Sequence, residues 1–209
     1  MANSEQTAAT DSENGGGEIE VTGQDVNNIQ ANTVSIRYGR AGDIKAEQVL
    51  VSQSGAITVE GDRVELRQAG AQSVTGQQVD IRQGAAAQVQ AENVSMTQGG
   101  LVFADTGQAN LKASYVGAVL ASGNVEMDQT ISRVVVTRGD ITMDQNVSGV
   151  VVGRNITTGD NSGTILMLAG RVNGNVNAVF GPASSAAFGA AFAVVIALIL
   201  WIRRRLAGE

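Results

Sequence analysis

From Ile29 onward, apolar side chains return at every fifteenth position. Ile29, Ile44, Val59, Val74 and Val89 form one column, and Val34, Val49, Val64, Val79 and Val94 a second. Ile36, Val51, Leu66, Ile81 and Met96 form a third. Small residues keep step, as in Ala41, Ala56, Ala71, Ala86 and in Ala31, Ala46, Gly61, Gly76, Ala91. Self-similarity at a short fixed period marks a repeat architecture in which each unit stacks on the last. Within a unit the order is apolar, polar, apolar, as in Val64-Glu65-Leu66 and Val79-Asp80-Ile81. Successive strand side chains point to opposite faces, so the outer pair turns inward and the middle residue meets solvent. No window before Ala186 holds the three-and-four spacing of a helix. The pattern therefore predicts an all-β fold: a single-chain, three-sided parallel β-helix with a narrow, dry lumen. Each coil divides into three short stretches, near 29–33, 34–38 and 39–43 in the first full unit. Handedness does not follow from the spacing.

Beyond about residue 118 the step changes but the repeat survives. Asn124-Val125-Glu126-Met127-Asp128-Gln129 is matched sixteen positions later by Asp140-Ile141-Thr142-Met143-Asp144-Gln145. Asn155-Ile156-Thr157 and Arg171-Val172-Asn173 continue at steps of fifteen and sixteen. One extra residue at a corner is absorbed as a bulge or a wider turn. The span from 21 to 180 holds roughly ten coils, a rod of about 50 Å at about 4.8 Å per stacked strand.

A glutamine recurs at one place in the unit: Gln53, Gln68, Gln83, Gln98, then Gln129 and Gln145. Stacked amides can bond to those above and below as a ladder. Such a column is either a structural corner ladder, the simpler expectation, or a ligand-binding stripe. A patchy outward column runs Arg37, Arg67, Arg82 and Lys112, then reverses sign at Asp128 and Asp144. It reads as a solvated face that could also set polarity in lateral association.

Composition narrows the function. The chain has 3% aromatic residues, one Pro and a net charge of −6. Scarce aromatics suit a thin solenoid, and the acidic balance argues against nucleic acid, which needs a basic stripe. There is no Cys and no His. Thiol chemistry, His-dependent acid–base catalysis and His-ligated metal sites are thereby removed. The acids Asp43, Glu47, Glu60, Asp62, Glu65 and Asp80 are scattered among Lys and Arg, with no long loop to form a cleft. The expectation is a non-enzyme with no catalytic, cofactor or metal site and no small-molecule substrate. Arg138-Gly139-Asp140 falls at the repeat's own turn and reads as a corner.

The ends are different material. Residues 1–20 contain five acids, no Lys or Arg, and Gly15-Gly16-Gly17. Such a stretch buries too little to order itself and is expected to be a disordered acidic tail. It has neither the basic start nor the apolar run of a secretory signal peptide. At the other end, no charge occurs between Arg171 and Arg203, and Ala186 to Ile202 is an unbroken run of apolar and small side chains. As a helix this segment reaches about 26 Å, enough to cross a hydrocarbon core of about 30 Å with local thinning. Trp201 sits where an interfacial aromatic belongs, and Arg203, Arg204 and Arg205 follow as an anchor. Residues 181–209 are thus read as linker, single transmembrane helix and basic tail. Gly189, Ala193 and Ala197, four apart, offer a face for helix–helix contact. The two topological signals disagree: the Arg cluster puts the C-terminus in the cytoplasm, whereas the missing signal peptide keeps the solenoid there. The cytoplasmic solenoid is the expectation, with the extracellular one as alternative.

The phrase Ile165-Leu166-Met167-Leu168-Ala169-Gly170-Arg171-Val172-Asn173-Gly174-Asn175-Val176, within a solenoid flanked by unlike ends, resembles the bactofilins, polymer-forming bacterial cytoskeletal proteins. The similarity spans about 21–180. It implies a right-handed, three-sided β-helix that polymerises end to end without nucleotide along the inner face of the membrane. The fifteen-residue period, the Gln column and the C-terminal apolar segment depart from that pattern. The expected partners are the lipid bilayer and further copies of the chain. A surface rod or stalk, or a solenoid subunit of a larger membrane complex, are the competing readings.

Overall fold

A computed structural model describes residues 17–174, together with the backbone of 12–13 and 177–178. Among these residues the strands occur in chain order: β1 (Ser12–Glu13), β2 (Glu18–Thr22), β3 (Val26–Arg37), β4 (Arg40–Ser52), β5 (Gly55–Arg67), β6 (Gly70–Arg82), β7 (Ala85–Thr97), β8 (Gly100–Lys112), β9 (Tyr115–Ala121), β10 (Val125–Asp128), β11 (Ile131–Thr137), β12 (Asp140–Asp144), β13 (Val147–Thr158), β14 (Gly163–Gly174) and β15 (Asn177–Ala178). Every pairing among them is parallel, and β3 through β8 stack in sequence order. The chain is a parallel β-solenoid of about ten turns.

Stacking puts like on like. Val49 pairs with Val64 and Val64 with Val79, while Val51, Leu66 and Ile81 form the adjacent column. Of these six, Val49 is 3% exposed and the others 0%. Burial follows a rule finer than the period of the whole coil: inward pairs recur every fifth residue. Val59 and Gly61, Val64 and Leu66, Ala69 and Ala71, then Val74 and Gly76 turn inward, giving three pairs per coil. Each pair flanks one outward residue, and two more outward residues separate it from the next pair. Fully burying a Val, Ile or Leu side chain contributes about 1.5–3 kcal/mol, and each coil repeats that gain.

The strands are longer than the three short stretches the sequence suggests. β4 to β8 each run 13 residues, nearly a whole coil. Two of the three bends fall inside a continuous strand, where the register skips a residue such as Ile57 or Asp62, and the strand breaks only at the third. Below Lys112 the next two coils split, into β9 and β10 and into β11 and β12, where an extra residue enters a corner, and β13 and β14 run 12 residues again. Val125 pairs with Ala109 above it and Ile141 below, a step of sixteen each way. Ile141 then meets Ile156 at a step of fifteen, and Ile156 meets Val172 at sixteen. Gly139 makes one such corner possible: a Cβ there would collide with the Gly123 carbonyl and lie 2.8 Å from Asn124 Oδ1.

Two findings differ from the expected layout. Pairing begins ahead of Val21: Glu18–Thr22 adds to β3, as does the backbone of Ser12–Glu13, inside the stretch read as an acidic tail. Alternation lets Ile19 and Val21 tuck inward while Glu18, Glu20 and Thr22 stay in water, so the acids do not oppose the strand. The lumen is also not uniformly apolar. In the lower coils Thr130, Ser132, Asn146, Ser148 and Ser162 occupy inward positions at 4% exposure or less. Among the described residues there is no helix, and none long and apolar enough to cross a membrane. The segment 181–209 lies outside the described residues.

Candidate functional site

The glutamine column sits where the strands break. Gln53, Gln68, Gln83, Gln98, Gln129 and Gln145 all have positive φ, between 50° and 56°, and Tyr38, Ala113 and Asn161 continue the same left-handed corner. A non-glycine residue held there costs about 1–2 kcal/mol. Backbone bonds offset the cost. The Gln53 N–H donates to the Arg67 carbonyl at 2.9 Å, and Gln68, Gln83 and Gln98 repeat the contact one coil on. The side chains add a ladder: Gln53 Nε2 donates to Gln68 Oε1 at 3.0 Å, Gln68 to Gln83 at 3.2 Å, and Gln83 to Gln98 at 3.2 Å. It stops at Ala113, which has no amide, so Gln129 and Gln145 occupy the same corner apart from the upper four. The recurrent glutamine points to the ladder. The left-handed backbone beneath it has no such signal, because Gly or Asn would be the usual occupant.

An open groove of about 740 Å³ runs beside the ladder, lined by Gln68, Gln83, Arg67 and Arg82. Both arginines are committed to neighbours on their own strands: Arg67 Nε meets Glu65 at 2.7 Å and Arg82 meets Asp80 at 2.8 Å. The hydrogen bond and charge of Asp80 hold the Arg82 guanidinium pKa above its ordinary value. The outward basic column is a true vertical row, Arg37, Ser52, Arg67, Arg82, Thr97, Lys112, Asp128, Asp144, with its sign change between Lys112 and Asp128. A shallower groove of about 540 Å³ follows the small-residue column at Ala31, Ala46, Gly61 and Gly76. Lys45 and Glu60 pair across it at 3.2 Å, largely in solvent. Among the described residues no three acids are placed to hold a metal ion.

The lower coils carry what the sequence reading missed. Inside them, Ser132 and Ser148 hydroxyls meet at 2.8 Å. Asn146 Nδ2 donates to the Met127 carbonyl, and its Oδ1 accepts from the Thr130 N–H. The Thr130 hydroxyl donates to the carbonyls of Leu111 and Asp128 at 3.0 Å each. Among the described residues every buried side-chain nitrogen and oxygen has a partner. The available signal was the run Thr130, Asn146, Ser162 at steps of sixteen. Outside, the same coils place apolar side chains in water: Tyr115, Ile131 and Val147 stack at 68, 46 and 59% exposure. Gly189, Ala193, Ala197, Trp201, Arg203, Arg204 and Arg205 lie outside the described residues.

What the geometry defines is a stack of parallel coils with an internal hydrogen-bonded scaffold, belonging to the parallel β-solenoid class. Compared with known proteins, the chain matches no family model, no curated protein and no solved structure.

Proposed function

We propose that the chain is a non-enzymatic structural scaffold, bactofilin-like in its right-handed three-sided form, that is anchored to a bilayer by its C-terminal apolar segment. It self-associates through the ends or faces of the rod, with the solenoid in the cytoplasm. The observation that carries this reading is the exposure of the inward column at the last described coil. β14 pairs with β13 on one side; on the other, among the described residues, only Gly163 and Thr164 meet a further strand. Parallel strand edges of this kind are templates for another chain. Along the inward column Ile156 is 0% exposed, whereas Val172, next in line, is 43% exposed. At the opposite end, Ile19 and Val21 are only half-buried above Val34 and Ile36. A second copy stacked head to tail would extend the ladder and cover both ends, and a head-to-tail contact without closure grows into a filament.

Electron microscopy and sedimentation of the full-length chain in detergent test the proposal. Strings that lengthen with concentration are expected; monodisperse monomers at high concentration would overturn it. The cluster Arg203, Arg204, Arg205 favours the alternative orientation, with the rod displayed outside as a stalk. Protease digestion of the solenoid in intact cells would select that reading, and digestion only after lysis the cytoplasmic one.

A further inference from the structure

The coils below Lys112 divide their charge by side. Residues 113–122, 129–138, 145–154 and 161–170 contain no carboxylate, and Arg133, Arg138 and Arg154 are their only charged side chains. The rest of each coil holds Glu126, Asp128, Asp140, Asp144 and Asp160. In a chain of net charge −6, nearly two-thirds of the circumference over four coils is free of negative charge.

That same surface carries the exposed apolar side chains. Apart from Tyr38, Ile57, Val102 and Val172, every large hydrophobic standing well into solvent among the described residues lies on it. Tyr115, Ile131 and Val147 form one row. Leu120, Val136, Val152 and Leu168 form another, with Leu120 at 41% and Leu168 at 53% exposure. Between the rows, Ala118, Val134, Val150 and Leu166 stack at a bend. Four coils, each giving ten positions, span on the order of 600 Å² at strand spacings. That area includes Gln129, Gln145 and the three arginines beside the apolar rows, and exposed apolar rows of this kind mark membrane or protein contacts.

We infer that this surface docks on an anionic lipid bilayer. Apolar side chains rimmed by cations are the composition that inserts at a headgroup boundary and gains from anionic lipid. Arg133 and Arg138 decide against a second copy of the same surface, which would bury their guanidinium groups where no carboxylate can receive them. Phosphate groups of lipid supply the missing partner for Arg133 and Arg138; Arg154, at the edge of the surface, already meets Asp140 at 3.5 Å. The inference rests on the proposed function only in placing the rod beside a membrane; the lower coils then lie along the bilayer.

The chain has no Cys, so single cysteines report cleanly. Full-length protein carrying Val147→Cys or Leu168→Cys, each labelled with an environment-sensitive fluorophore, is reconstituted in phosphatidylcholine vesicles with or without phosphatidylglycerol. Thr142→Cys, exposed on the acidic side, is the control. Nitroxide-bearing lipid should quench the labels at 147 and 168 several-fold more than the label at 142, and only in anionic vesicles. The double change Arg133→Gln, Arg138→Gln should lower that quenching to the control level. Equal quenching at all three positions, or equal quenching with and without phosphatidylglycerol, overturns the inference. So does a blue-shifted label that lipid cannot quench and that follows protein density, which would assign the surface to a second copy. Carbonate extraction separates the two readings: protein that stays in the membrane with unquenched labels fails the docking claim alone, and protein released into the supernatant fails the anchor.

Discussion

Asn146 donates its amide to the Met127 carbonyl at 2.7 Å, reaching back beyond a full coil, while its own oxygen accepts the Thr130 N–H at 2.6 Å. Asn146 is 0% exposed, so one side chain satisfies two buried backbone groups on the coil above. Asn146→Leu keeps the branched shape, with bulkier ends, and removes both bonds. Each backbone group left unpartnered costs about 1–3 kcal/mol, so a loss of about 3 kcal/mol is expected. Urea denaturation checks it, as a lower midpoint with unchanged slope. A loss below about 1 kcal/mol would mean that water or a shifted backbone replaces the amide.

The left-handed corner makes a different prediction at Gln68. Gln68→Gly relieves the backbone strain while removing two exposed amide contacts, and should change stability by less than about 1 kcal/mol. Gln68→Val keeps a side chain but places a β-branched residue at φ 50°, and should cost about 2 kcal/mol or more. Thermal melting of the two variants side by side gives the comparison. Equal melting temperatures would show that the ladder, rather than the backbone, governs this corner.

Core columns should dominate both. Leu66 is 0% exposed between Val51 and Ile81. Leu66→Ala is expected to cost about 2–5 kcal/mol. Lys45→Ala, at an ion pair whose lysine side chain is 67% exposed, should cost under about 1 kcal/mol, and less still in high salt. Chemical denaturation of both variants at two salt concentrations checks the order.

At the last described coil, Val172→Lys places a charge on an inward position already 43% exposed. The monomer should keep its melting temperature within a few degrees, because little buried area is lost. Assemblies should shorten or vanish, since covering the end would now bury an ammonium group. Sedimentation velocity of variant and parent at matched concentration is the measurement; unchanged assembly with Val172→Lys would move the contact away from this end.

The period, the parallel stack and the identity of the inward columns could be read from the chain alone. Val49, Val64 and Val79 must meet if successive units stack in register, and a like-on-like column is the simplest way to fill a narrow lumen. The glutamine ladder was legible for the same reason, since a recurrent side chain becomes its own neighbour. The left-handed backbone at those glutamines was not, because φ is set by how the coil closes rather than by Gln itself. Nor was the polar interior of the lower coils: Thr130, Asn146 and Ser162 continue the inward column of Ala69 and Ser114, and a polar side chain by itself gives no sign of facing the lumen. Val134-Val135-Val136 and Val150-Val151-Val152 show the limit most plainly. Three valines in a row satisfy either phase of a strand, and the stack alone places Val135 and Val151 inside while leaving their neighbours on the outer surface. Alternation tells a sequence which residues share a face; the register against the adjacent coils decides which face meets water.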